Sequence, residues 1–328
     1  MNNRLADVFN STMISSAISA ADELGLIEQL KQEQTIEINT FCQENDLHYL
    51  SVEAIISALC CFDICQLNDN NRIVQQGSLF AEAYRDKGYF LWLIRGYGYL
   101  LQNLASIAKN ENRFHDFINR DGKYIALAGR DYGQKFVDSY FEELLEEFPY
   151  QFVADLGCGS GAKLINIAKK SPAVRGIGID INSGAVETAQ IAVDNAELQA
   201  RVKIIEGDMS KLDNQPDFDE VDVVFSFFNG HDVWPRNNCL KFLQNLHLAF
   251  PNVKRFLLCD TYRSDTIPSE NVPIFTLGFE FTHGIMGQYI PSLTEWLELF
   301  VDSGWECVEH REIGIPFSTI FDLRPNLT

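Results

Sequence analysis

From the N-terminus to about residue 148 the apolar positions recur at helical spacing. Beyond Pro149 they change to short apolar runs separated by helical stretches. Leu5, Val8, Phe9, Met13, Ile14, Ala17, Ala20, Ala21 and Leu24 mark a long helix that Gly25 ends. A short helix is predicted over 36–44 and a second over 51–62, with Glu53 in its first turn. Two strands, 64–67 and 72–75, flank Asn68-Asp69-Asn70-Asn71, a sequence suited to a hairpin turn. Aromatic-rich helices continue over 89–148, with interruptions expected at Gly122 and Gly129. In the second part, strands are predicted over 152–156, 174–179, 202–206, 221–226 and 255–259, with helices over 162–170 and 238–250. Ser292-Leu293-Thr294-Glu295 is a capping box opening a helix to Ser303, and 305–311 with 317–323 can close the sheet as an antiparallel hairpin. The expected organisation is a small module over 1–88, a helical region over 89–148 that can line a substrate pocket, and an α/β domain over 149–328.

Two helices followed by a two-stranded wing make the winged-helix pattern, which raises DNA binding as a function. Charge argues against it. Residues 1–90 hold five Lys and Arg against thirteen Asp and Glu, and the helix over 51–62 carries no basic residue. Its apolar positions, Ile55, Ile56, Leu59 and Phe62, suit burial against a second subunit, so a homodimer is expected. The whole chain carries 26 basic and 46 acidic residues, a net charge of −20, which repels phosphate backbones and anionic lipid. Neither nucleic acid nor membrane is an expected partner. The most apolar stretch, 90–108, is broken by Arg95, Gly96 and Gly98, and its charge-free part is too short to span a bilayer. The N-terminus lacks a secretory pattern, and the eight cysteines, without C-x-x-C spacing, suit buried reduced thiols. A cytoplasmic protein is expected.

The run over 152–156 leads into Gly157-Cys158-Gly159-Ser160-Gly161 and a helix. A glycine-rich turn between strand and helix lets backbone amides approach a ligand closely. Read through Ala162 it also satisfies a dinucleotide fingerprint, so the turn alone is ambiguous. Asp155 stands two residues before the first glycine, where a carboxylate can reach an ammonium group. Asp180 ends the second strand, the position that accepts ribose hydroxyls. The third strand runs into Gly207-Asp208-Met209, an acid and an apolar neighbour for an adenine. As a set these motifs resemble the class I S-adenosylmethionine-dependent methyltransferases, a Rossmann-like fold with a seven-stranded sheet. The resemblance places cofactor contacts at Asp155, Gly157, Gly159, Asp180, Ile181, Asp208, Met209, Ser226 and Phe227.

Ligands of open α/β sheets bind beyond the carboxyl ends of the strands, so the segment after the fourth strand carries the chemistry. It reads Phe227-Phe228-Asn229-Gly230-His231-Asp232-Val233-Trp234. Two functional readings stand side by side. In one, His231 is a general base that takes a hydroxyl proton from the acceptor, without a metal, as in the plant-type and antibiotic-pathway O-methyltransferases, which carry a similar H-D-W segment. In the other, His231 and Asp232 are metal ligands, and His283, in a long insertion over 261–291, is the third.

The second reading resembles the α-keto-acid C-methyltransferases of nonribosomal-peptide (antibiotic) pathways, the phenylpyruvate and 2-ketoarginine type, with a winged-helix dimerisation domain. Gly129-Arg130-Asp131-Tyr132-Gly133, N-G-H-D-V-W and F-T-H-G carry the resemblance. It implies one metal ion, iron favoured and zinc possible, held by His231, Asp232 and His283. It also implies a 2-oxo acid methylated at its β-carbon as an enolate. Arg130, Tyr132 and Trp234 are the implied substrate contacts, with a structural Arg130–Asp131 pair as the alternative for Arg130. The metal-dependent C-methyltransferase is the favoured expectation and the metal-free O-methyltransferase its alternative.

Overall fold

The computed structural model describes residues 4–68, 70, 72–114, 117–265 and 271–326. Asp69 and Asn71 of the expected turn, His115, and 266–270 of the insertion lie outside the described residues. The chain divides into two compact units, Met1–Lys135 and Phe136–Thr328.

In the first unit a helix over Arg4–Glu23 ends where Gly25 takes a φ of 78°. A second helix, Leu26–Glu33, follows at once, and its apolar Leu26, Ile27 and Leu30 are buried. Helices Ile38–Glu44 and Tyr49–Cys60 come next, the first capped by the Glu37 carboxylate, which accepts from the Thr40 amide. The strands Cys65–Asn68 and Ile73–Gln76 pair antiparallel, and Thr35–Glu37 joins them as a third strand. The start of the predicted helix over 36–44 is therefore extended, because Ile36 fills the core opposite Val74.

Ile56 and Leu59 are fully buried among Ile14, Ile18, Leu30, Phe41 and Val74 of the same unit. Ile56 and Leu59 are thus used within their own unit, while Ile55 is half-buried and Phe62 exposed. The exposed apolar stripe lies instead on the first helix, at Leu5, Val8, Phe9 and Met13. Further on, a helix over Gly122–Phe136 runs through Gly129 without a break, while Gly122 starts it as the pattern suggested. Tyr132 is buried against Tyr89 with ring centroids 5.6 Å apart. Arg130 is exposed, and Asp131 pairs with Lys135 at 2.8 Å and Lys87 at 3.8 Å, so no Arg130–Asp131 pair is built.

In the second unit, helix α1 (Asp138–Glu146) precedes a seven-stranded sheet. Its strands are β1 (Phe152–Leu156), β2 (Arg175–Asp180), β3 (Val202–Glu206), β4 (Val223–Phe227), β5 (Arg255–Thr261), β6 (Trp305–Glu312) and β7 (Ser318–Pro325). The order is β3-β2-β1-β4-β5-β7-β6, with the first five parallel and the closing hairpin antiparallel. This is the Rossmann-like class I methyltransferase sheet. Every residue of β1 and β5 is buried, as expected of central strands covered on both faces. The helices are α2 (Ala162–Lys170), α3 (Ser183–Asn195), α4 (Arg236–Ala249), α5 (Thr276–Met286) and α6 (Leu293–Asp302). The capping box of α6 forms, with Ser292 and Glu295 reciprocally bonded.

Arg255 is fully buried at the start of β5 and would be costly if unpaired. Asp322 of β7 answers it with two hydrogen bonds, 2.8 and 3.0 Å, and the Leu144 carbonyl of α1 accepts a third. Between β1 and β4 the strand order reverses, and the carboxyl ends there open a crevice.

Candidate active site

The turn after β1 is built by backbone geometry. Gly157, Gly159 and Gly161 hold φ of 74°, 53° and 71°, and a Cβ on Gly157 would lie 2.2 Å from the Asn229 amide nitrogen. The Gly157 and Cys158 amides donate to the Ile179 carbonyl, which locks the turn to β2. The Gly159 and Asn182 amides both donate to the Asp180 carboxylate at 2.9 Å, fixing it at the end of β2.

A cavity of about 620 Å³ lies over these strand ends. Gly157, Asp180, Ile181, Asp208, Met209, Asn229, Asp232 and Trp234 line it, with Asn238 and Lys241 from α4. Ile181 is an exposed aliphatic side chain on this wall. Lys211 and Ser210 bond the Asp208 carboxylate and hold its pKa below the usual value. Ser226 is otherwise occupied, since its buried hydroxyl donates to the Leu156 carbonyl at 2.8 Å. Phe227 packs edge-on to Phe141, with the Lys163 ammonium 4.2 Å above its ring.

Beyond β4 the chain bends sharply. Phe228 adopts a φ of 56°, a left-handed conformation that costs a bulky residue about 1–2 kcal/mol. Gly230 then passes so close to β5 that a Cβ would sit 2.7 Å from the Asp260 carboxylate. This brings His231 onto Asp260. The His231 amide donates to Asp260 Oδ2 at 2.8 Å, and the Nδ1 atom lies 2.6 Å from Oδ1. Asp260 is fully buried and His231 nearly so. A buried carboxylate on Nδ1 selects the tautomer with the proton there, leaving Nε2 as the basic atom.

Asp260 was not among the expected site residues. The predicted fifth strand stopped at Cys259, whereas β5 runs through Asp260 to Thr261. An acid inside the apolar run Phe256-Leu257-Leu258-Cys259 was the available signal.

The insertion contains α5 and does bring His283 beside His231, with ring centroids 5.0 Å apart. The expected metal centre is nevertheless corrected. Among the described residues no group of three or more His, Cys, Asp or Glu side chains is arranged to hold a metal ion. The physical reason lies with the Asp232 carboxylate, since an imidazole bonded through Nδ1 still has Nε2 for ligation. Asp232 is held by the Gln288 amide and stays 3.8 Å from His231 Nε2. His283 directs Nδ1 to the Phe279 carbonyl at 2.6 Å, with the Phe279 ring packed 4.0 Å from its own. His231, Asp232 and His283 are therefore not an assembled ligand set, and the iron or zinc expectation falls with it. The β-carbon chemistry built on a metal-chelated 2-oxo acid falls for the same reason. Trp234 is buried in the cavity wall, stacked on Tyr289 and edge-on to Trp296.

Comparison with known proteins agrees with this fold. Residues 153–249 match the family described as a methyltransferase domain. The methyltransferase ungE' of Aspergillus campestris is 36% identical over 330 residues, spanning 97% of this chain and 96% of that protein. The chain belongs to the class I S-adenosylmethionine-dependent methyltransferases. Indolepyruvate C-methyltransferase of Streptomyces griseus is 27% identical over 96% of this methyltransferase and 92% of its own length. Among solved structures, PigF with SAH superposes with a TM-score of 0.70, and the mitomycin 7-O-methyltransferase MmcR with 0.67. Both are 16% identical and cover at least 97% of each chain, a likeness of fold. No helix among the described residues of the methyltransferase is long and apolar enough to cross a membrane, and its eight cysteines are free thiols.

Asp155 is the most perturbed acid of this crevice. Burial pushes its carboxyl from 3.8 up to about 7, Asp180 pushing in the same direction and Lys163 opposing. The folded state therefore keeps a proton that the unfolded chain has already released between about pH 4 and 7. Stability from this group is full below the unfolded value and is lost as pH rises through 7. In cofactor-free protein, Asp155→Asn is expected to match the native chain at pH 4. Above pH 7 it should be more stable, by at most about 4 kcal/mol. Thermal unfolding from pH 4 to 8 checks this, and a difference independent of pH would refute it.

Proposed function

We propose that this methyltransferase transfers a methyl group from S-adenosylmethionine to a hydroxyl of a small-molecule acceptor, with His231 as general base and no metal in the step. The observation that carries the reading is the buried Asp260–His231 pair at the carboxyl ends of β4 and β5, beside the cavity. Bound S-adenosylmethionine supplies an electrophilic methyl group on a sulfonium.

The cavity suits that ligand in size and lining. Its volume of about 620 Å³ falls within the usual range of small-molecule sites. Asp180 would accept ribose hydroxyls, Ile181 and Met209 would flank the adenine with Asp208 at its edge, and the Gly157–Gly159 backbone would face the methionine portion. Asp155 would meet the ammonium group in its ionised form. Ser226 and Phe227 would act from behind the site through the contacts described above. Trp234 would form the wall toward the acceptor.

His231 would take the acceptor's proton at Nε2 as its oxygen attacks the methyl carbon in line. Asp260 would keep the imidazole in the productive tautomer and stabilise the imidazolium that forms. Asp232, at the junction of cavity and imidazole, would add negative charge near the developing imidazolium. His283 and Phe279 would pack around the base and limit water. Arg130 and Tyr132 belong to the other unit, and no role in this step is assigned to them.

The N-terminal unit, which the sequence likens to a winged-helix dimerisation domain, would pair two copies through the first helix. Leu5, Val8, Phe9 and Met13, spaced at i, i+3, i+4 and i+8, are 81%, 66%, 69% and 53% exposed. Such a stripe on a soluble chain marks an interaction surface.

Two outcomes are expected. With a panel of phenolic and catecholic acceptors, His231→Ala should lower turnover by about 10²–10⁴-fold. Asp260→Asn should do comparable damage by releasing the tautomer, while calorimetric binding of S-adenosylhomocysteine is preserved in both. Full turnover by folded His231→Ala protein would end the general-base reading. Separately, light scattering should find a dimer that Val8→Asp with Phe9→Asp converts to a monomer. A native monomer, or a variant that remains dimeric, would contradict the interface.

A further inference from the structure

Gln288 follows α5 and has no place in the reaction as derived so far. Contacts on both sides fix its place in the chain. Gly287 ends α5 with a φ of 78°, and the Gln288 amide donates back to the His283 carbonyl at 2.9 Å. The next residue, Tyr289, is pinned on both sides, stacking on Trp234 and donating to Glu295 at 2.6 Å. From this clamped segment the Gln288 side-chain amide donates to Asp232 Oδ1. The same Oδ1 atom is the one that lies 3.8 Å from His231 Nε2, beyond hydrogen-bond reach.

We propose that Gln288 is a positioning residue of the methyl-transfer step. Its amide holds the Asp232 carboxylate off the imidazole, so that Asp232 acts on His231 through space without bonding to Nε2. The carboxylate competes with the acceptor hydroxyl for the same nitrogen, and a direct ion pair would displace the hydroxyl. Among the groups around His231 are Asp260 on β5, Asp232 on its own turn, and His283 and Phe279 on α5. Asp260 is committed to Nδ1, and the Asp232 carboxylate lies on the Nε2 side of the ring. The inference rests on His231 acting as the base.

Its test needs no acceptor. Gln288→Leu, and Gln288→Met as a second variant of similar length, are made in the full chain and crystallised with S-adenosylhomocysteine. The Asp232 Oδ1–His231 Nε2 separation should close from 3.8 Å to about 2.7–2.9 Å. In ¹⁵N-histidine-labelled protein, His231 should gain a second ring N–H signal in Gln288→Leu. That signal should vanish again in Gln288→Leu/Asp232→Asn, a reversal that a merely structural defect would not produce. Affinity for S-adenosylhomocysteine should be unchanged in Gln288→Leu and Gln288→Met. A separation that stays near 3.8 Å, or a ring spectrum identical to that of the native chain, overturns the proposal. Both readouts are independent of turnover. Loss of the general-base reading would show instead as activity retained by His231→Ala, so the two failures are distinguishable.

Discussion

The chemistry proposed for this methyltransferase depends on one carboxylate, Asp260, placed in the interior at the end of a fully buried strand. A buried carboxylate survives only with its lone pairs satisfied, and here three N–H groups do so: the His231 and Thr261 amides and the His231 ring. The same bonds that satisfy Asp260 fix the imidazole. Much of the local backbone serves this contact, from the left-handed Phe228 to the close passage of Gly230. Leu258 and Trp296 leave no room for a side chain at Gly230, their atoms lying 3.1 and 3.2 Å from where a Cβ would stand.

The parallel sheet was legible because its strands are short apolar runs bounded by glycine and acid. β1, β3 and α2 coincide with their predicted spans, and β2 and β4 differ at their ends by one or two residues. Asp180 and the glycine turn were readable for the same reason, since each is positioned by its own strand. Asp260 was missed because its partner stands 29 residues away and no periodicity marks an acid inside a strand. Gln288 was harder still, because its contact with Asp232 depends on the course of the whole insertion.

The metal centre failed as an expectation in an instructive way. Topology correctly suggested that the insertion would carry His283 toward His231. Ligation depends on where each side chain spends its hydrogen bonds, and residue type and order do not encode that. Likewise the apolar positions over 51–62 suited a second subunit by spacing. The helix Tyr49–Cys60 fills the core of its own unit, while the first helix leaves its stripe outside. Spacing alone does not tell which apolar face finds a partner within the chain.

The central claim is that the Asp260–His231 pair performs the proton transfer without a metal-bound acceptor. The most direct measurement is methyl transfer to hydroxyl acceptors after exhaustive dialysis against a strong chelator, followed by addition of ferrous iron or zinc. The account predicts the same turnover before dialysis, after it and with metal restored. Turnover abolished by the chelator and recovered on adding iron would contradict it.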